Sequence, residues 1–143
     1  MIDILSVKIF IICMDNKERS GIALTGENLA ALFLERKGCQ IIARNYHSAY
    51  GEIDVIALKE QEIIFAEVKT RTGRSVKAAQ NSISTAKQRK LTLTALHFLS
   101  EKTEYSEYAP RFDVIAVLQN VAEGTFSIHH TPNAFPGIQP EFS

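Results

Sequence analysis

The chain has no tryptophan, only two cysteines, four prolines and seven glycines in 143 residues, and sixteen acidic side chains cancel its sixteen basic ones. Each shortage removes a class of protein. Cys13 and Cys39 are too few for the disulfide framework of a small secreted domain and lack the paired spacing of a zinc site, so both read as free thiols in a reducing cytoplasm. So little glycine and proline disfavours collagen-like repeats, low-complexity scaffolds and disorder. Zero net charge withholds any whole-chain argument for a nucleic acid, a membrane surface or an acidic substrate. The apolar run at residues 7–14 is interrupted by Lys8 and is far shorter than the ~20 residues that a membrane-spanning helix needs. Asp3 precedes it and Asp15-Asn16-Lys17-Glu18 follows, where a secretory leader would carry a basic start and a small-residue cleavage site. Met14 offers a second start, which would make residues 1–13 a dispensable extension. A glycine loop able to cradle phosphates is also missing, which disfavours a nucleotide-handling enzyme.

What is present is an apolar fraction of 45%, enough for one core in a chain of ordinary single-domain length. Charge is unevenly distributed. Residues 1–67 hold ten acids and seven bases, residues 68–100 hold seven bases and no acid, and residues 101–143 hold six acids and two bases. The centre of the chain is a basic island.

The hydrophobic period alternates along the chain. Leu24, Leu29, Leu32 and Phe33 fall at helical spacing, which predicts a helix over about 21–37 with Ser20 as a cap and Gly38 past its last turn. Three strands are expected at 39–46, 53–58 and 63–70, with Lys59-Glu60-Gln61-Glu62 turning between the last two. Ile83, Leu91, Ala95, Leu96, Phe98 and Leu99 predict a second helix capped by Ser82 or Ser84, its first half strongly basic. A closing hairpin follows at 112–118 and 125–130, and the chain from Pro132 onward should be irregular. The expected order is αβββαββ. It implies one α/β domain at 21–136, with a mixed central sheet flanked by helices, an N-terminal extension at 1–20 and a tail at 137–143.

The residues suited to chemistry lie in two strand-like runs, Gly51-Glu52-Ile53-Asp54-Val55-Ile56-Ala57 and Ile64-Phe65-Ala66-Glu67-Val68-Lys69-Thr70-Arg71. Period-two alternation puts Glu67 and Lys69 on one face, and likewise Glu52 and Asp54. Uncompensated charges inside an apolar sheet cost several kcal/mol each, so such strands carry a metal, a paired charge or a wet cleft. Mg²⁺ takes about six oxygens, usually one or two from carboxylates, and leaves places for water and a substrate phosphate. Asp54 and Glu67 are the expected ligands, and Lys69 would position or deprotonate the attacking water. The acid-x-Lys tripeptide occurs three times in the chain, at Asp15, Glu35 and Glu67, and the last of these lies within a strand. The competing reading of these charges is a solvated edge hairpin that resists aggregation. The basic run Arg71, Arg74, Lys77, Lys87, Arg89 and Lys90 then offers a surface that tracks phosphates, or a merely solvated face. Glu52 is expected to pair structurally with Arg44 or Arg71. His129 and His130, adjacent in a strand, should point to opposite faces and so cannot chelate together.

At these residues the sequence resembles the PD-(D/E)xK, restriction-endonuclease-like nuclease superfamily, and more closely the YraN family of small bacterial proteins. The likeness runs from Thr25-Gly26-Glu27 through Ala43-Arg44-Asn45-Tyr46, Gly51-Glu52-Ile53-Asp54, Phe65-Ala66-Glu67-Val68-Lys69-Thr70-Arg71 and Lys87-Gln88-Arg89-Lys90-Leu91 to Arg111-Phe112-Asp113-Val114 and Asn133-Ala134-Phe135. The proline that gives the superfamily its name is replaced by Ile53. The resemblance implies an αβββαβ core similar to that of archaeal Holliday junction resolvases, acting on DNA, branched DNA included, with Mg²⁺ or Mn²⁺. It implies Asp54, Glu67 and Lys69 as the catalytic acid, acid and lysine, and Glu27 as an additional acid and metal ligand. Arg71, Lys87, Gln88 and Lys90 are then the expected nucleic-acid contacts, and a homodimer, able to make two symmetric cuts, the expected assembly. The alternative is a non-catalytic DNA-binding or complex-assembly module that keeps the nuclease fold.

Overall fold

The computed structural model describes residues 25–72, 83–120, 122 and 124–137. The elements run α1 (Gly26–Arg36), β1 (Gln40–Ser48), β2 (Gly51–Lys59), β3 (Glu62–Thr72), α2 (Thr85–Glu101), β4 (Ala109–Asn120) and β5 (Thr125–Phe135), with a short 3-10 turn at Thr103–Tyr105. This is the expected αβββαββ order. The sheet is five-stranded in the order β1-β2-β3-β4-β5, antiparallel throughout except for the parallel β3–β4 pair. Parallel neighbours need a long crossover, and α2 lies in the one that joins them.

Each helix covers a different core. Leu29, Ala30, Phe33 and Leu34 of α1 pack on Val55, Ala57, Ile64, Ala66, Ile115, Val117 and Ile128. Leu91, Ala95 and Phe98 of α2 pack on Ile53, Ile56, Ile63, Phe65, Phe112 and Val114. Neighbours along β3 and β4 divide between the two clusters because strand side chains alternate. Removing Leu34, which is fully buried, to alanine would cost about 2–5 kcal/mol. Among the described residues no helix is long and apolar enough to cross a membrane.

The boundaries refine the sequence reading. Helix α1 begins at Gly26, with the Thr25 side chain accepting from the Asn28 N–H, whereas Ser20 and residues 21–24 lie outside the described residues. Its end is as expected: Gly38 has φ 90°, Gly38 N–H donates to the Glu35 carbonyl and Cys39 N–H to Leu34, the paired bonds of a Schellman ending. Ser84 caps α2 by accepting from Lys87 N–H. The expected irregular course from Pro132 is corrected, since β5 continues to Phe135. A register shift between Phe112 and Val114 absorbs the mismatch, and Asn133, at φ 52°, donates its N–H to Asp113. Phe135 then stacks on Phe112 at 4.7 Å. Pro132 is tolerated because β5 is an edge strand and a missing N–H there costs no ladder bond. The extension at 1–20, Cys13, Arg74, Lys77, Ser82 and residues 138–143 all lie outside the described residues.

Candidate active site

The site exists because the sheet forks. Strands β2 and β3 pair from Lys59–Glu62 up to Val55–Ala66 and no further. Beyond that point β2 stays with β1 as far as Ser48–Gly51, while β3 stays with β4 as far as Thr72–Gln119. Asp54 and Glu67 are the first residues past the fork on their two strands.

A kink in the β1–β2 ribbon sets the direction of Asp54. Ala43 and Tyr46 of β1 both pack in the α2-side core, as do Ile53 and Ile56 of β2, although the members of each pair are three residues apart. Residues at that spacing on a regular strand face opposite ways. The register of the ribbon shifts between Ile41 and Ala43, and Asn45 has a φ of 51°, in the left-handed region that asparagine tolerates better than most side chains. Simple alternation therefore does not carry Glu52 and Asp54 onto a shared face, a correction to the sequence expectation. Glu52 pairs instead with His47 at 3.2 Å, not with Arg44 or Arg71, and Arg44 donates to the Asn28 side chain at 2.7 Å. Asp54 turns to β3 and accepts from the Val68 N–H at 2.7 Å.

The electrostatics are those of two partly buried carboxyls with basic side chains beside them. Burial raises the Asp54 carboxyl above its ordinary pKa; the Val68 hydrogen bond opposes this, and the charge of Glu27 adds to it. Burial and then the charge of Asp54 raise Glu67, against the pull of Lys87. Burial and the neighbouring Arg71 lower the Lys69 ammonium. Two raised carboxyls beside one lowered amine form a cluster whose members perturb one another, a pattern common at functional sites.

The structure thus brings Asp54, Glu67 and Lys69 together, with Glu27 at the N-terminus of α1 near enough to act on Asp54. Gly26 makes this approach feasible, because a Cβ there would collide with the Thr70 side chain of β3. Among the described residues no three His, Cys, Asp or Glu side chains form a ready metal cage. Glu27 therefore acts on Asp54 through charge in this conformation. The donor set still fits a hard cation: two half-buried carboxylates supply oxygens of the right kind, and a Mg²⁺ shell is ordinarily completed by water and phosphate.

The basic residues divide. Lys87 reaches Glu67 at 3.5 Å and lies against the carboxylate pair, a partnership that the sequence reading did not foresee. The Gln88 side chain donates to the Ile83 carbonyl at 2.9 Å and helps to fasten the start of α2. Arg71 is exposed and donates to the Thr70 carbonyl, and Lys90 is exposed on α2. Lys87 and Lys90 also line an open cleft of about 320 Å³ together with His47, Tyr50, Glu52 and Leu91.

A second polar cluster lies on the α1 side of the sheet, where the sequence offered a motif and no role. The buried Asp113 accepts two bonds from Arg111, at 2.9 Å each, one from the Asn133 N–H, and sits 2.7 Å from His130 Nε2. Burial alone would raise the Asp113 carboxyl, but His130, Arg111 and Asn133 together hold it below its usual range. His130 packs edge-on against Phe33, whereas His129 pairs across the sheet with Ala116, so the two do face opposite ways.

The model of the Uncharacterised protein family UPF0102 matches residues 26–117, which contain Glu27, Asp54, Glu67, Lys69 and Lys87 but stop short of His130 and Asn133. The chain is similar to a UPF0102 protein of Pelotomaculum thermopropionicum, 40% identical over 110 residues that cover 77% of this chain and 91% of that one. It is also similar to a UPF0102 protein of Syntrophotalea carbinolica, at 38% over 118 residues, covering 82% and 94%. A third, from Caldanaerobacter subterraneus subsp. tengcongensis, is 34% identical over 123 residues, covering 85% and 100%. The chain belongs to the UPF0102 family, the YraN family that its motifs resemble.

Proposed function

We propose that this protein is a Mg²⁺- or Mn²⁺-dependent phosphodiesterase acting on DNA. The observation that carries the reading is the fork between β2 and β3, where Asp54 accepts from the Val68 N–H across the gap and Glu67 and Lys69 follow the last ladder pair on β3, beside a helix bearing Lys87, Arg89 and Lys90. Asp54 and Glu67 would hold the cation. Bound there, it would polarise a phosphoryl oxygen and acidify a water molecule.

The chain's own residues account for the rest. Lys69, its amine made easier to deprotonate by burial and Arg71, accepts a proton from the attacking water at Nζ or holds that water in line. The Val68 N–H bond keeps one Asp54 oxygen in place, which orients the carboxylate. Glu27 adds negative charge near Asp54 and would strengthen its hold on a cation. Lys87, which lies 3.5 Å from Glu67, would be available to contact a phosphate when Asp54 and Glu67 hold a cation.

That same Lys87–Glu67 pair favours a second reading, in which the site is neutralised by the protein itself and the fold serves as a DNA-binding module. Cleavage separates the two. Purified protein is incubated with branched and linear DNAs and Mn²⁺, beside Asp54→Ala and Lys69→Ala variants whose folding is checked by circular dichroism. Cleavage lost in both variants supports the enzyme. Cleavage retained in both, or no Mn²⁺ binding by calorimetry with DNA present, overturns it.

A further inference from the structure

We propose that the cleft between the β1–β2 turn and α2 is a subsite for one unpaired nucleotide of the DNA strand, with Tyr50 as the surface on which its base stacks. This deepens the nuclease reading, on which it rests, by naming the form of DNA the site prefers.

Tyr50 sits in the tight turn between Ser48 and Gly51, its backbone N–H donating to the Ser48 hydroxyl at 3.0 Å. It is 49% exposed, one of two large apolar side chains that remain so among the described residues, the other being Leu96. An exposed ring at a turn is unremarkable when it is loosely held. This ring is backed. Tyr50 leans on His97 at 6.0 Å, His97 on Tyr46 at 6.5 Å, and Tyr46 meets the buried Phe98 edge-on at 5.1 Å. Glu101 fixes the middle of this chain by accepting from the Tyr46 hydroxyl at 3.3 Å and pairing with His97 at 3.0 Å. The outer ring is therefore presented to solvent with other rings behind it, and a side chain already held there loses less freedom when a ligand stacks on it.

The neighbouring charges identify the ligand. The cleft of about 320 Å³ beside Tyr50 has Lys87 and Lys90 on its α2 wall, and its acid, Glu52, is paired with His47. A flat apolar ring next to two ammonium groups suits a base attached to a phosphate. Lys87 ties this cleft to the active site, because the same ammonium lies 3.5 Å from Glu67. A strand whose phosphate lies at Asp54 and Glu67 would thus place a neighbouring nucleotide in the cleft. Within a continuous duplex both faces of each base are occupied by its neighbours, so a protein ring gains a stacking partner only from a base that is out of the stack. The preferred DNA is a flap, a gap or an open junction arm.

The test is binding of the full chain without divalent metal, so that nothing is cut. Fluorescence anisotropy compares a flapped DNA with a continuous duplex, and 2-aminopurine at the first unpaired position reports stacking directly. Tyr50→Ala should weaken binding of the flapped DNA by roughly tenfold and abolish the 2-aminopurine quenching, while Tyr50→Phe retains both and duplex affinity is unchanged. An unaltered flap affinity in Tyr50→Ala, or equal losses for flap and duplex, overturns the subsite and leaves the nuclease reading to the Asp54→Ala cleavage result. Absence of binding to either DNA by the unmodified protein likewise overturns the subsite, and the nuclease reading stands or falls on cleavage with Mn²⁺.

Discussion

The Asp54 carboxylate accepts a 2.7 Å hydrogen bond from the Val68 backbone N–H just past the last pair of the β2–β3 ladder. A side chain thereby bridges the two strands where the ladder stops, and the fork is held open at a fixed width. Burial still outweighs that bond and leaves the Asp54 carboxyl raised, as burial and Asp54 leave Glu67. A carboxyl raised on folding makes the native state bind more protons than the unfolded chain does. Its stabilising contribution is complete below the ordinary carboxylate pKa and is lost as pH rises through the raised value. Above the raised values that contribution is gone, and Asp54→Asn and Glu67→Gln should each raise the Tm by a few degrees at about pH 8. The gain should shrink as pH is lowered to about 4. A Tm that falls at neutral pH in both variants would contradict this account of the site.

Divalent cation should reverse that ranking. A cation that binds the folded state alone stabilises by mass action, by about 2.7 kcal/mol at a hundred times its Kd. Thermal melts with Mn²⁺ should show the unmodified protein rising past both variants, while Glu67→Gln and Asp54→Asn fail to respond. An equal response in all three would place the cation elsewhere.

Lys87 allows two effects of one side chain to be separated. Replacing it with methionine leaves Glu67 without its 3.5 Å partner, so Mn²⁺ binding by calorimetry should tighten. The same change removes one phosphate contact, so the slope of log affinity for DNA against log salt should fall by about one. A structural ion pair with no part in DNA binding would leave the salt slope unchanged.

The buried Arg111–Asp113–His130 cluster ties β4 to the end of β5, and its value lies in being complete. Asp113→Ala leaves a guanidinium and a buried imidazole without their shared acceptor, which should cost about 3–5 kcal/mol in urea denaturation. Because Asp113 is held below its ordinary value, its contribution is present above that value and is lost as pH falls through the lowered one. The unmodified protein should therefore destabilise steeply in acid, and Asp113→Ala should flatten that dependence.

Much of this was legible in the residues. Short apolar runs bounded by turn residues marked all five strands, and Gly38 marked the end of α1, because both signals are local. Glu67 and Lys69 share a face by alternation alone. The fork was not legible, since it depends on α2 returning the chain to the far side of β3, a long-range fact that no window of sequence holds. Nor were the register shift between Ile41 and Ala43 and the positive φ of Asn45, which no period-two pattern announces. Lys87 was visible as one charge in a basic island, but its contact with Glu67 comes from the packing of α2 across the sheet. The reach of β5 past Pro132 was hidden because proline is read as a breaker, and only an edge strand makes it harmless.

Gly26 tests whether the position of α1 matters to the site. An added Cβ would collide with Thr70 Oγ1 and lie 3.0 Å from Thr70 Cβ, so the start of the helix must move away from β3. Glu27 is the next residue, and any such movement carries it away from Asp54. Gly26→Ala should therefore cost about 1–3 kcal/mol of stability from overpacking and weaken Mn²⁺ binding. Adding Thr70→Ala removes the Oγ1 and Cγ2 atoms in the way and should restore most of the stability. If the double variant recovers the fold and Mn²⁺ affinity together, the helix start and the carboxylate pair are coupled through that contact. Recovery of the fold with Mn²⁺ affinity unchanged in all three proteins would show that Glu27 lies outside the cation's reach.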